Sequence, residues 1–403
     1  MHTRFRPLLM MALAWSAMLG GLGAFGLSQG QGLSVPLPQV PLVRPQEVIT
    51  AEAQARAQAK DAALGGWLES YFNVTNAAEL STQAINLSSL QTAGLPDGWS
   101  FAGGGMIISG RKGVGGVSGL AAQWNSQGGL DLLAVSDVGY WLGARLENAQ
   151  GDGTGRLDRL TVHSVAQIET LAGFRPRSSQ SNAEAIAVTD AGDLLVAFEG
   201  DHRVQVHPNQ AKPSRILSVP TALRTAPNTL AASNGGIEAL AVLPSGELFA
   251  VGEGVQRQGG LRAWVFGASD ADWATAVYRR DVEDGYAWTP TAAASFGDQL
   301  YLVERWWDRG LLFRARLVSL PIADVVAGAL LEPQVVLDLS PIVGTFGNVE
   351  SLAVLPASAQ SNEPRMLVII ATDNQEFALL PTQVVALAFD PAGAGGSGYG
   401  AGQ

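Results

Sequence analysis

The chain has 403 residues, 47% of them hydrophobic and only 15% charged, which is ample for a large buried core. It has no cysteine, so disulfides and thiolate metal sites are excluded. A formal net charge of −11 argues against nucleic-acid binding and favours cations.

His2, Arg4 and Arg6 precede an uncharged, mostly apolar stretch at 8–27, and no charge follows until Arg44. This is the basic and apolar pattern of an export signal, with Ala24-Phe25-Gly26 at the cleavage spacing. Its length also suits a retained membrane anchor. Residues 1–27 are thus a signal peptide or anchor, and the expected location is periplasmic or secreted, or else the membrane by way of residues 8–27. Residues 28–63 join a linker, marked by Pro36, Pro38, Pro41 and Pro45, to a polar Ala/Gln-rich helix from Glu47 to Ala63. The folded domain is expected over 64–391, and the Gly-rich segment 392–403 reads as a disordered tail.

Five hairpin-like units follow. Val117 to Ala121 leads to Leu132 to Asp137, Ala183 to Val188 to Leu194 to Gly200, and Ile237 to Leu243 to Leu248 to Val251. Thr291 to Phe296 leads to Leu300 to Glu304, and Val349 to Pro356 to Met366 to Asn374. The units begin near residues 118, 184, 238, 291 and 350, at intervals of 66, 54, 53 and 59 residues. A period near 50 with strands in every unit indicates a solenoid, propeller or array. Further strands are predicted at 203–207 and 214–219, 262–266 and 275–278, and 312–317 and 335–339. Four strands per unit make a propeller blade. The last unit has three, and a lone strand at 105–109 supplies the fourth, closing the ring and removing its open edges. The fold class is all-β, a β-propeller of four-stranded blades. Five blades are counted, with room for a sixth around residues 80–100. His163 and His207, in outer strands, are expected at the surface.

In a hairpin the first residue of one strand lies beside the last of the next. Asp137, Glu184, Glu199, Glu238, Glu253, Glu304, Glu350 and Asp373 therefore gather at one mouth of the channel, beside Asn182, Asn234, Asn348 and Asn374. At roughly 8 Å and an effective dielectric near 20, each pair of like charges costs about 2 kcal/mol. Protonation, an arginine (Arg203 and Arg305 are candidates) or a bound cation must relieve this. Oxygen donors alone suit Ca²⁺ or Mg²⁺, and all eight carboxylates are candidate ligands. A purely structural role, capping strand ends, is the competing reading. Glu184, Glu238 and His202 are the candidate catalytic acids and bases. Ser118 lacks the second glycine of a nucleophile elbow, so a Ser118–His202–Asp137 triad is not expected. Tyr140, Trp141, Trp306 and Trp307 follow acidic strand ends and either stack on a ligand or wedge between blades.

Several motifs share an order. Gly115-Gly116-Val117-Ser118-Gly119-Leu120 precedes Ser136-Asp137-Val138-Gly139-Tyr140-Trp141. Ala183-Glu184-Ala185-Ile186-Ala187 and Phe198-Glu199-Gly200-Asp201-His202-Arg203 come next, then Asn234-Gly235-Gly236-Ile237-Glu238. Leu302-Val303-Glu304-Arg305, Asn348-Val349-Glu350-Ser351 and Thr372-Asp373-Asn374 complete the set. This order resembles the phytase-like β-propeller family described as "esterase-like activity of phytase", found in exported bacterial proteins, over about residues 100–390. The family pattern has Asp-Arg-Gly where this chain has Asp137-Val138-Gly139, which removes a basic group from the mouth. The resemblance implies a hydrolase of ester or phosphoester bonds, and a Ca²⁺ or Mg²⁺ held by the clustered carboxylates would assist it by polarising the ester oxygen and activating water. The alternative is a non-catalytic propeller presenting its mouth to a small-molecule or cell-envelope ligand. A monomer is expected, with no nucleic-acid partner and no membrane contact except through an uncleaved N-terminal segment.

Overall fold

The computed structural model describes residues 81–84, 95–108, 114–148, 156–171, 181–208, 213–220, 223, 235–257, 260–267, 273–308, 312–344, 347–358, 365–374 and 380–391. The expected export signal, linker, polar helix and C-terminal tail lie outside these residues.

Five large antiparallel sheets follow one another along the chain as blades. Blade one is Val117–Trp124, Leu130–Ser136, Tyr140–Glu147 and Arg159–Gln167. Blade two is Ala183–Val188, Leu194–Phe198, Arg203–His207 and Arg215–Leu217. Blade three is Ile237–Val242, Leu248–Arg257, Gly260–Phe266 and Trp273–Arg279, extended at its edge by the parallel pair Leu330–Leu331. Blade four is Thr289–Phe296, Gln299–Trp307, Phe313–Pro321 and Gln334–Asp338. Blade five is Asn348–Pro356, Met366–Asp373 and Thr382–Phe389.

The fourth strand of blade five comes from the start of the domain. Trp99–Ile108 pairs antiparallel with Thr382–Phe389, from Trp99 opposite Phe389 to Ile107 opposite Thr382. The expected closure is therefore present. The strand is longer than the 105–109 expected, because Gly103-Gly104-Gly105 reads as a turn in sequence yet lies within it. Gly103 (φ +151°) sits so close to the neighbouring chain that a Cβ would lie 1.9 Å from the Leu157 carbonyl oxygen. The glycine lets residues 102–104 and Leu157 exchange backbone hydrogen bonds of 2.7 and 2.8 Å. Ser81–Ala84 pairs outside Trp99–Ile108 as a fifth strand, so these residues of the segment considered for a sixth blade form an edge of the fifth.

The first strands of successive blades pack side by side around the axis, including blade five against blade one. Apolar side chains fill each of the five gaps between blades. Met366–Asp373 shows how. Met366, Val368 and Ile370 face blade four, while Leu367, Ile369 and Ala371 face blade one. Alternate residues enter opposite gaps, so such a strand is apolar throughout rather than alternating. The same burial overturns the expectation for His207. It is fully buried, edge-on to Trp141 at 5.2 Å in the gap between blades one and two. His163 is half-buried rather than at the surface.

Removing Trp99–Ile108 would expose a sheet edge over eight paired positions and strip Ile107 from the gap between blades five and one. Each buried hydrogen bond is worth about 0.5–1.5 kcal/mol net, against a domain stability of about 5–15 kcal/mol. A chain lacking residues 1–110 is expected not to fold, whereas one starting at Gln46 should melt cooperatively by circular dichroism. A cooperative transition in the shorter chain would contradict the closure.

Candidate functional site

Each innermost strand carries the same irregularity. The register with the second strand shifts by one residue at Ser118, Glu184, Glu238, Thr291 and Glu350. These are β-bulges, each leaving one extra residue unpaired and re-aimed. At the same end, Asp137, Glu199, Glu253, Arg305 and Asp373, on or just after the second strands, face Gly116, Asn182, Gly236, Thr289 and Asn348. Two five-membered rings result, an inner one of bulge residues and an outer one of strand ends.

The two hydroxyls of the inner ring are structural. Ser118 donates to the Ala183 carbonyl and Thr291 to the Val349 carbonyl at 2.8 Å, each clipping its blade to the next. Ser118 is thus committed as a donor, consistent with the absence of a triad. The three glutamates differ. Glu184 and Glu238 accept no hydrogen bond and join no ion pair among the described residues, and Glu184 is only 9% exposed. Burial pushes the Glu184 carboxyl well above the usual carboxylate range, and Glu238, Glu199, Glu350 and Asp137 add to it. Burial does the same to Glu238, reinforced by Glu253, Glu199 and Glu350 and opposed by Arg305. Burial also raises Glu350, but Arg305 and a 2.7 Å bond from Asn348 Nδ2 offset part of the rise.

Arg305 is the one cation among the outer-ring positions. Its Nη1 donates to Glu350 and, at 3.1 Å, to Asn348 Oδ1, and its Nη2 lies 3.3 Å from Glu253 Oε1. Burial opposes the charge, but Glu350, Glu253, Glu238 and Asp373 outweigh it and hold the guanidinium protonated. Glu304, expected at the mouth, stands one position earlier, opposite Pro290, where other blades carry Ser136, Phe198, Gly252 and Thr372. A one-residue offset turns a strand side chain to the other face. Glu304 is accordingly fully buried away from the ring. It takes bonds from Tyr278 Oη at 2.9 Å and Arg316 Nε at 2.6 Å.

The remaining ring carboxylates are held in place. Glu199 accepts from the backbone N–H groups of Gly235 and Gly236 and from Asn182 Nδ2 at 2.9 Å. Burial still raises its carboxyl, while those N–H groups and His202 act against the rise. His202 is buried with Glu199 against Gly236. Asp373 accepts from Asn348 Nδ2 at 3.3 Å, and Asn374 Oδ1 accepts from the Gly116 N–H at 3.1 Å. Gly116 (φ +67°) cannot be replaced without collision, since a Cβ there would lie 1.9 Å from Asp137 Oδ1. Trp141 wedges between blades. Trp306 donates to the Glu283 carbonyl at 3.0 Å, under a small hairpin of Val282–Glu283 and Tyr286–Ala287. Trp307 is 43% exposed and stacked on Phe313.

Among the described residues, no group of three or more acidic or histidine side chains is placed to hold a metal ion. Arg305 puts its own charge between Glu253 and Glu350, where a cation shared by blades three and five would sit. The expected set of eight ligands therefore does not fit a resident divalent ion.

A closed ring of five blades with a carboxyl-rich mouth defines a β-propeller. The sequence profile of the phytase-like family described as "Esterase-like activity of phytase" matches residues 112–375, and the chain belongs to that family. No curated protein matches the chain in sequence. Among solved structures it is similar to an α-L-arabinofuranosidase from Lactobacillus brevis (10% identity, TM-score 0.41, 68% of this chain and 92% of the other). It is also similar to a novel α-L-arabinofuranosidase from Clostridium thermocellum (11%, 0.39, 63% and 80%) and to a gluconolactonase from Xanthomonas campestris (11%, 0.35, 77% and 96%). Likenesses at this level carry no functional argument.

The raised carboxyls set a pH dependence. A carboxyl whose folded pKa exceeds its unfolded value of 4.5 binds more protons folded than unfolded. Its contribution is complete below about 4.5 and is lost as pH rises through the folded value. Thermal stability should therefore fall from mildly acidic to alkaline pH. Glu184→Gln should raise Tm at pH 8 and leave it unchanged at pH 4. Relief of one like-charge pair is worth about 2 kcal/mol at roughly 8 Å, and Tm moves by about 2–4 °C per kcal/mol. Equal Tm shifts at both pH values would contradict the assignment.

Proposed function

We propose that the protein hydrolyses ester bonds at the channel mouth, with Glu238 as general base and Glu184 as general acid. The observation that supports this most is the pair of unpartnered glutamates in neighbouring bulges. Their surroundings separate them. The side chains that act most strongly on Glu184 are acids, which favours its protonated form. Glu238 is within reach of Arg305, which favours its carboxylate. Burial raises both carboxyls, and in this reading the opposing pull of Arg305 on Glu238 makes Glu238 the proton acceptor and Glu184 the donor.

In this reading the Glu238 carboxylate takes a proton from water as the water oxygen bonds to the ester carbonyl carbon. The tetrahedral adduct then breaks its bond to the alcohol oxygen. That oxygen keeps the electron pair and receives the proton of Glu184. Glu238 returns its proton to Glu184, so one ester and one water yield one acid and one alcohol. His202 braces Glu199 and the Gly236 backbone in this scheme. The chemistry is read as independent of a bound metal because Arg305 supplies the positive charge. Export by way of residues 8–27 belongs to the same proposal. Among the described residues no helix is long and apolar enough to cross a membrane.

A panel of aryl carboxylic esters and aryl phosphates tests the reading. Glu184→Gln and Glu238→Gln should each lower kcat by about 10²–10⁴-fold, the usual range for a lost acid or base. EDTA or millimolar Ca²⁺ should leave activity and Tm unchanged. Wild-type protein that turns over nothing yet binds a small ligand at the mouth would favour the non-catalytic binding propeller.

A further inference from the structure

We propose that Arg305 binds the oxygen that becomes negative in the reaction, and that the substrate is an uncharged carboxylic ester or lactone. This rests on the hydrolase reading above. A guanidinium has five N–H donors in a rigid fork. The bonds of Arg305 to Glu350, Asn348 and Glu253 use three. Nε–H and one further N–H have no partner among the described residues, although the side chain is only 15% exposed. The used donors fix the plane of the fork through blades three and five. The unused ones belong to a side chain at the outer-ring position, equivalent to Asp137, Glu199, Glu253 and Asp373.

The charge around the fork selects the substrate. Asp137, Glu184, Glu199, Glu238, Glu253, Glu350 and Asp373 share the two rings with a single guanidinium, itself engaged by two of them. A phosphate monoester would bring about two negative charges into that field before any reaction. A carboxylic ester enters neutral. It develops one negative charge, on its carbonyl oxygen, only as the tetrahedral adduct forms. Preorganised donors aimed at that oxygen stabilise the transition state more than the ground state.

The test uses the full chain with 4-nitrophenyl acetate, 4-nitrophenyl butyrate and 4-nitrophenyl phosphate, comparing wild type with Arg305→Lys and Arg305→Met. Wild type should favour the carboxylic esters over the phosphate by more than about tenfold in kcat/KM. Arg305→Lys keeps the charge beside Glu253 and Glu350 and should fold, but it lacks the fork. Its kcat should drop about 10²–10³-fold with little change in KM, as for loss of an oxyanion donor. Added guanidinium, at concentrations that leave Tm unchanged, should restore part of the Arg305→Met activity, and ammonium should not. Should Arg305→Met fail to fold, the lysine variant decides. Retention of kcat within about threefold in Arg305→Lys, or preference of the wild type for the phosphate, would overturn the proposal while leaving a hydrolase. Absence of turnover by wild type on all three substrates would overturn the hydrolase reading itself.

Discussion

An extra residue near the start of each innermost strand governs this molecule's chemistry. A strand buried on both faces has no direction left for a polar side chain except along the sheet toward the axis. The bulge supplies that direction. It frees one residue per blade from the ladder while the strand beyond it continues apolar, as Ala185-Ile186-Ala187-Val188 and Ala239-Leu240-Ala241-Val242 do. Closure fixes the five bulges relative to one another. Blade five's sheet is completed by Trp99–Ile108, so the ring that carries the mouth includes a segment distant from it in sequence.

The mouth concentrates like charge, and the chain relieves it unevenly. Glu199 is neutralised in effect by backbone N–H groups, Glu350 and Glu253 by one arginine, and Asp373 takes a bond from Asn348. Glu184 and Glu238 accept no hydrogen bond and join no ion pair among the described residues, although the Arg305 charge acts on Glu238. Uneven relief turns a ring of similar groups into groups with different proton affinities, which acid–base chemistry requires. A purely structural ring would gain by pairing every member. The blades that carry Ser118 and Thr291 at the bulge show that a structural solution exists in this same fold.

Much of this was legible in the amino-acid order. Recurrent apolar hairpins with intervening strands gave blade number and strand order. The orphan strand before the first unit and the missing strand of the last gave closure. Glu184, Glu238 and Glu350 were found because they head matched hairpins. Arg305 was missed as a ring member because Val303-Glu304-Arg305 looks like Phe198-Glu199-Gly200, and only the ladder reveals that the register differs by one. The bulges themselves have no local signature, since one extra residue in an apolar run leaves the composition unchanged. His207 misled because an outer strand in a propeller still faces the next blade. The clustered carboxylates called for a bound cation or an arginine, and of the two arginines considered it is Arg305 that stands between Glu253 and Glu350.

The central claim is that burial among like charges at the mouth holds the Glu184 carboxyl well above the usual carboxylate range. Carbon-13 NMR of protein labelled at the glutamate side-chain carboxyl reads this directly. The account predicts a carboxyl resonance that titrates well above the usual carboxylate range and is absent from Glu184→Gln, whose other resonances, the raised one of Glu238 included, are preserved. If every glutamate carboxyl of the wild type completes its titration below about pH 5, Glu184 is an ordinary ionised side chain and the account fails.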